Sequence, residues 1–146
     1  MITRTFKRPE FLHKLLLGYW VTTSLILFSY LFLRAAEQGK ELSILLKTFP
    51  ELPLGVLMAG INVLLAAGLW RIAPSERPLY LSLALIQQAV SLNFLGVLLI
   101  YFYQRQANYR FWQRPTKEQL GLFISFGVLL LLTLLVLLLR LRLLLA

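Results

Sequence analysis

The chain has 146 residues, of which 59% are apolar and only 14% charged, and its mean hydropathy is +0.75. A soluble chain of this size carries about 45–50% apolar residues and roughly a quarter charged ones, so this one has too little polar surface to cover a water-soluble body. The composition excludes a disordered chain, a nucleic-acid-binding domain and an ordinary cytosolic enzyme, and it predicts an all-α integral membrane protein.

Four charge-free runs follow one another along the chain: residues 15–33, 52–70, 78–104 and 119–139. The hydrocarbon core of a bilayer is about 30 Å thick and takes roughly 20 apolar residues to cross. Each run is long enough, so the sequence predicts a single four-helix bundle over residues 1–146, with transmembrane helices at about 15–34, 52–72, 78–104 and 119–140. Pro9, Pro50, Pro53, Pro74, Pro78 and Pro115 all fall outside these runs or at their ends, where proline's missing amide proton does least harm. The link Ala73-Pro74-Ser75-Glu76-Arg77-Pro78 is short enough to make the second and third segments antiparallel neighbours. The first run is too long for the apolar core of a cleaved signal, and Leu33-Arg34-Ala35-Ala36 lacks the small residue needed for cleavage, so it is read as a retained anchor.

Between the first two runs, Leu42, Leu45, Leu46 and Phe49 recur at i, i+3, i+4 and i+7. That spacing places them on one face of a short helix, expected to lie in the headgroup plane. After the third run, Tyr101-Phe102-Tyr103-Gln104-Arg105 leads into Tyr109-Arg110-Phe111-Trp112-Gln113-Arg114. Aromatic rings with polar edges collect at the membrane–water boundary, and Arg side chains there pair with phosphates or stack on the rings. Arg105, Arg110, Trp112 and Arg114 are therefore the candidates for contact with lipid headgroups or with an anionic partner.

With four crossings and the N-terminus inside, eight Lys and Arg residues fall on the inner side and seven on the outer. The positive-inside rule hardly discriminates at that ratio. The N-terminal cluster Arg4, Lys7, Arg8 and Lys14 decides it: both termini are expected in the cytoplasm, and the membrane is read as a bacterial cytoplasmic membrane. The net charge of +9 is taken as basic flanks on anionic lipid, not as a nucleic-acid surface.

Catalytic chemistry has little to work with. There is no Cys, one His, and all six acidic residues are Glu, none within the four runs. No metal or other cofactor is expected. Proton-coupled transport through an intramembrane carboxylate is excluded on the same ground, and the chain has no GxxxxGK[ST] phosphate loop. It therefore lacks the membrane Glu that small multidrug exporters need, the paired Asp of lipoprotein signal peptidases and the Cys of disulfide-forming membrane enzymes. An enzyme acting on lipids at the interface would have to draw on His13, Glu37 or Glu118.

The spans instead carry small and neutral-polar residues at helical spacing: Gly18, Thr22, Leu25 and Ser29; Gly55, Ala59, Asn62 and Ala66; Gly121 and Ser125. Such faces let helices approach closely in lipid, where packing and interhelical hydrogen bonds replace hydrophobic exclusion. The third segment has two polar sides, Gln87, Gln88 and Ser91 on one and Ser82, Asn93 and Gly96 on the other. Both cannot face lipid without cost. Asn62, Gln87, Gln88, Ser91 and Asn93 are thus the predicted packing or partner interface. The expected function is that of a non-catalytic accessory, assembly or regulatory subunit of a larger membrane complex, its partners being the lipid bilayer and other membrane subunits. The alternative is a small homo-oligomeric channel or transporter with a neutral-polar path through Asn62, Gln87, Gln88 and Ser91.

Overall fold

The computed structural model describes residues 9–111 and 116–146, without the side chain of residue 118. The described residues form six α-helices and one short 3-10 turn, with no strand among them. They are α1 (Pro9–Gln38), α2 (Leu42–Thr48), α3 (Glu51–Arg71), α4 (Arg77–Val90), α5 (Phe94–Gln106) and α6 (Leu120–Leu145). Helices α1, α3 and α6 are long and apolar enough to cross a bilayer; at 1.5 Å per residue they measure roughly 45, 32 and 39 Å.

The run over 78–104 departs from expectation. It forms no single helix but two, α4 and α5, of 14 and 13 residues, each about 20 Å long and so too short to span. The break is a helix-ending motif hidden in an apolar context. Leu92 takes a left-handed backbone, φ 59°. Its amide donates to the Ala89 carbonyl at 3.1 Å, and the Asn93 amide reaches back to Gln88 at 2.9 Å. This pair of bonds is the Schellman arrangement that closes a helix C-terminus. Asn93 then caps α5, its side chain accepting from the Gly96 amide at 3.2 Å.

α5 folds back antiparallel along α4. At the open end of this hairpin, Gln104 Nε2 donates to Ser82 Oγ at 3.0 Å, and Ser82 in turn donates to the carbonyl of Phe111. Two further Schellman ends use residues better suited to the role. Gly39 (φ 59°) follows α1, and Asn108 (φ 54°) follows α5, where the Tyr109 amide bonds the Gln104 carbonyl at 2.9 Å.

Around the hairpin, α1 and α3 pack against each other, α4 lies on α6, and α5 lies on α1. The buried stripe of α1 is Leu16, Trp20, Ser24, Leu31 and Ala35. Ser24 Oγ donates across to the Ala59 carbonyl of α3 at 3.0 Å. On α6, Phe126 meets the ring of Tyr80 edge-on, with centroids 5.0 Å apart. Gly68 gives Tyr80 its place: a Cβ there would collide with the phenol, whose hydroxyl donates to the Leu65 carbonyl at 2.6 Å. Helix α2 sits over the far end of α1, with Leu45 fully buried and the Phe49 ring 4.9 Å below the Arg34 guanidinium.

Candidate functional site

The hairpin tip carries the densest polar cluster among the described residues. Gln88 is fully buried, and every hydrogen-bonding position of its amide is used. Its Oε1 accepts from Trp20 Nε1 at 3.3 Å and from Asn93 Nδ2 at 2.6 Å. Its Nε2 donates to Asn62 Oδ1 at 3.3 Å and to Gln87 Oε1 at 2.6 Å. Gln87, also fully buried, donates onward to Thr133 Oγ1 at 3.2 Å. Asn93 Oδ1 accepts from the Tyr19 hydroxyl at 2.5 Å.

The seven residues come from five parts of the chain: Tyr19 and Trp20 from α1, Asn62 from α3, Gln87 and Gln88 from α4, Thr133 from α6, and Asn93 from the turn into α5. A hairpin tip exposes backbone and side-chain polar groups, and once buried these are costly unless hydrogen-bonded, as they are here. Gly96 admits the arrangement, since a Cβ there would strike Gln88 Oε1 and press on Asn93 Nδ2.

Of the five residues predicted as an interface, Asn62, Gln87, Gln88 and Asn93 do converge, but on each other and within one chain. Ser91 caps its own helix, donating to the Gln88 carbonyl at 3.0 Å. Of the two polar sides of the third segment, Asn93 and Gly96 belong to α5 and its N-cap, while Ser82 shares α4 with Gln87 and Gln88. Ser82 faces the open end of the hairpin, whereas Asn93 faces its tip. Tyr19, Trp20 and Thr133 complete the cluster; no charge or spacing distinguishes them in their apolar runs.

The other predicted cluster behaves differently. Arg105 and Arg110 are exposed, while Trp112 and Arg114 lie outside the described residues. The buried aromatic at that end is Tyr103, 1% exposed, whose hydroxyl stands 3.2 Å from His13 Nδ1. Arg77 lies close enough to interact with both His13 and Tyr103, and its Nε is buried without a hydrogen-bond partner among the described residues. His13 and Glu37 sit 24 positions apart on α1, roughly 36 Å, so no acid–base pair can form from them. Among the described residues no three metal-ligating side chains gather.

The small-residue faces divide into used and unused. Gly55, Ala59 and Ala66 of α3 face the protein, Gly55 lying under Leu27. Gly18, Thr22, Leu25 and Ser29 of α1 are all exposed, on the side away from Trp20 and Ser24. Gly121 and Ser125 of α6 are exposed as well. Beside the α1 face runs an open groove of about 660 Å³ between α1 and α5, lined by Lys14, Gly18, Thr22, Leu95 and Leu99 among others. Comparison with protein-family models, with curated proteins and with solved structures finds no match.

Proposed function

We propose that the protein is a multi-pass membrane protein without catalytic chemistry, an accessory, assembly or regulatory subunit whose docking face is the outer side of α1. The observation that carries this reading is the exposed series Gly18, Thr22, Leu25 and Ser29, flanked by the groove against α5. A helix that spends small residues on an outward face gains nothing from lipid, whereas a neighbouring helix could approach its backbone closely. The equivalent series on α3 already serves that purpose inside the chain.

The proposed placement has three spans and one re-entrant hairpin, which puts the two termini on opposite sides. That assignment replaces the expectation of both termini inside. The membrane is proposed to be a bacterial cytoplasmic membrane, with α2 at the surface opposite the hairpin opening. The tip network lends no support to a conduit, because Gln87 and Gln88 are fully buried and bonded within the protein.

A photo-crosslinking residue at position 22 tests the reading in native membranes, with one at Leu64, on the exposed side of α3, as the control. The expected result is a protein adduct from position 22, absent from position 64 and lost when Gly18→Leu fills the groove. Lipid adducts alone from both positions would overturn it.

A further inference from the structure

The open end of the hairpin presents a second cluster, separate from the tip. Arg77 begins α4, His13 lies in the first turns of α1, Tyr103 ends α5, and Tyr109 follows it. Tyr103 and Tyr109 meet edge-on with centroids 6.0 Å apart, and His13 and Tyr103 do so at 5.9 Å. Tyr103 is sealed in, but Arg77, His13 and Tyr109 are only half-buried, so the cluster is reachable from outside.

Its chemistry is lopsided. Arg77 is a permanent cation, yet no carboxylate pairs with it among the described residues, although Glu76 is its neighbour in the chain. Its Nε–H is withdrawn from solvent with nothing to donate to among the described residues. A buried unpaired donor costs about 1–3 kcal/mol and calls for an explanation. Tyr103 holds the Nδ1 side of His13 at 3.2 Å, leaving Nε2 for another partner.

The planar guanidinium, the imidazole Nε2 and the half-buried Tyr109 hydroxyl, with no carboxylate paired to them among the described residues, form a set of donors suited to a phosphate. The position suits a lipid source. Lys14, Arg71, Arg105 and Lys117 belong to the same end of the helices, where headgroups would lie if α1, α3 and α6 span.

We propose that the base of the hairpin binds the phosphate of an anionic phospholipid, with Arg77 as the principal ligand, His13 completing the site and Tyr103 holding the imidazole in place. The site fixes a lipid where α4 enters and α5 leaves, and so ties the hairpin opening to one leaflet. It rests on membrane insertion but on no partner subunit; failure of the position-22 adducts would leave it standing.

The test uses the full chain reconstituted in phosphatidylcholine vesicles containing a minority of phosphatidylglycerol, then released and weighed by native mass spectrometry. The wild type is expected to retain phosphatidylglycerol in preference to phosphatidylcholine. Arg77→Gln is expected to reduce that retention about tenfold, as loss of a charged hydrogen-bonding partner implies, and Arg77→Lys to restore part of it. Arg71→Gln, which removes an exposed cation at the same end, is expected to change nothing. Should Arg77→Gln fail to fold, His13→Ala provides the second reading, with about threefold loss expected from removal of one neutral hydrogen bond. Unchanged retention in the folded Arg77 or His13 variant would overturn the proposal, as would equal loss in Arg71→Gln. Displacement of the lipid by inorganic phosphate, with no preference for phosphatidylglycerol, would assign the site to a soluble anion and overturn the lipid source.

Discussion

Replacing Gln88 with Leu would leave Trp20 Nε1, Asn93 Nδ2, Asn62 Oδ1 and Gln87 Oε1 short of a partner at once. Interhelical hydrogen bonds in membranes contribute about 0.6 kcal/mol each on average, and stranded buried groups add to the loss, so the expected destabilisation is about 2–4 kcal/mol. Gln87→Leu removes only the bond to Thr133 and the acceptor for Gln88, and Thr133 keeps its bond to the Leu129 carbonyl at 2.8 Å. Its expected cost is smaller, about 1–2 kcal/mol. Unfolding curves in mixed micelles should therefore rank Gln88→Leu below Gln87→Leu, and both below wild type. Equal effects of the two would show that the amides act only through their volume. The importance of both glutamines is legible in the sequence because amides in an otherwise apolar run require an explanation. Their partners are not, because Trp20 and Thr133 meet them only once the helices are assembled.

The hairpin depends on a turn whose chemistry is poorly advertised. Gly39 and Asn108 end their helices with the residue types that tolerate a left-handed backbone, but Leu92 does the same work with a side chain that disfavours it. A reader of hydropathy sees Leu92 as continuity, which is why 78–104 reads as one helix. The hints present are a 27-residue run, longer than a crossing needs, and an Asn at position 93 able to cap a new helix. A β-branched residue at 92 worsens the strain, so Leu92→Val is expected to cost about 1–2 kcal/mol, whereas Leu92→Gly is tolerated or slightly stabilising. Gly96→Ala should also destabilise, by about 1–3 kcal/mol, because the new methyl displaces Gln88 Oε1 and Asn93 Nδ2. Gly121→Ala meets nothing within 4 Å and serves as its control. Thermal melts of the four variants in one detergent check all these expectations. The long helices, in contrast, are plain in the sequence, since uninterrupted apolar runs bounded by charge leave few other conformations.

At the scale of the molecule, folding one expected crossing back on itself changes which charges share a side. With the hairpin opening at the N-terminal end of α1, that end collects Lys14, Arg71, Arg77, Arg105, Arg110 and Lys117, and by chain order Arg4, Lys7, Arg8 and Arg114 count with it. The other end holds Arg34, Lys40, Lys47, Arg140 and Arg142, so the division is ten against five instead of eight against seven. A bias of that size is what the positive-inside rule requires. It also moves the basic aromatic stretch around Arg105 and Arg110 to the same side as the start of α1. The prediction is therefore that residues 75 and 106, which flank the hairpin, share the cytoplasmic side with the start of α1, while residues 43 and 146 lie across the membrane. The chain contains no Cys, so Ser75→Cys, Gln106→Cys, Ser43→Cys and Ala146→Cys each carry one thiol for labelling in sealed, right-side-out vesicles. An impermeant maleimide is expected to label the 43 and 146 variants directly, and the 75 and 106 variants only after the vesicles are opened. Residue 106 decides between the two topologies, because a straight third crossing would put it with 43, in reach of the reagent from outside. Labelling at 106 before lysis would return the chain to four crossings and leave the turn at Leu92 without a role.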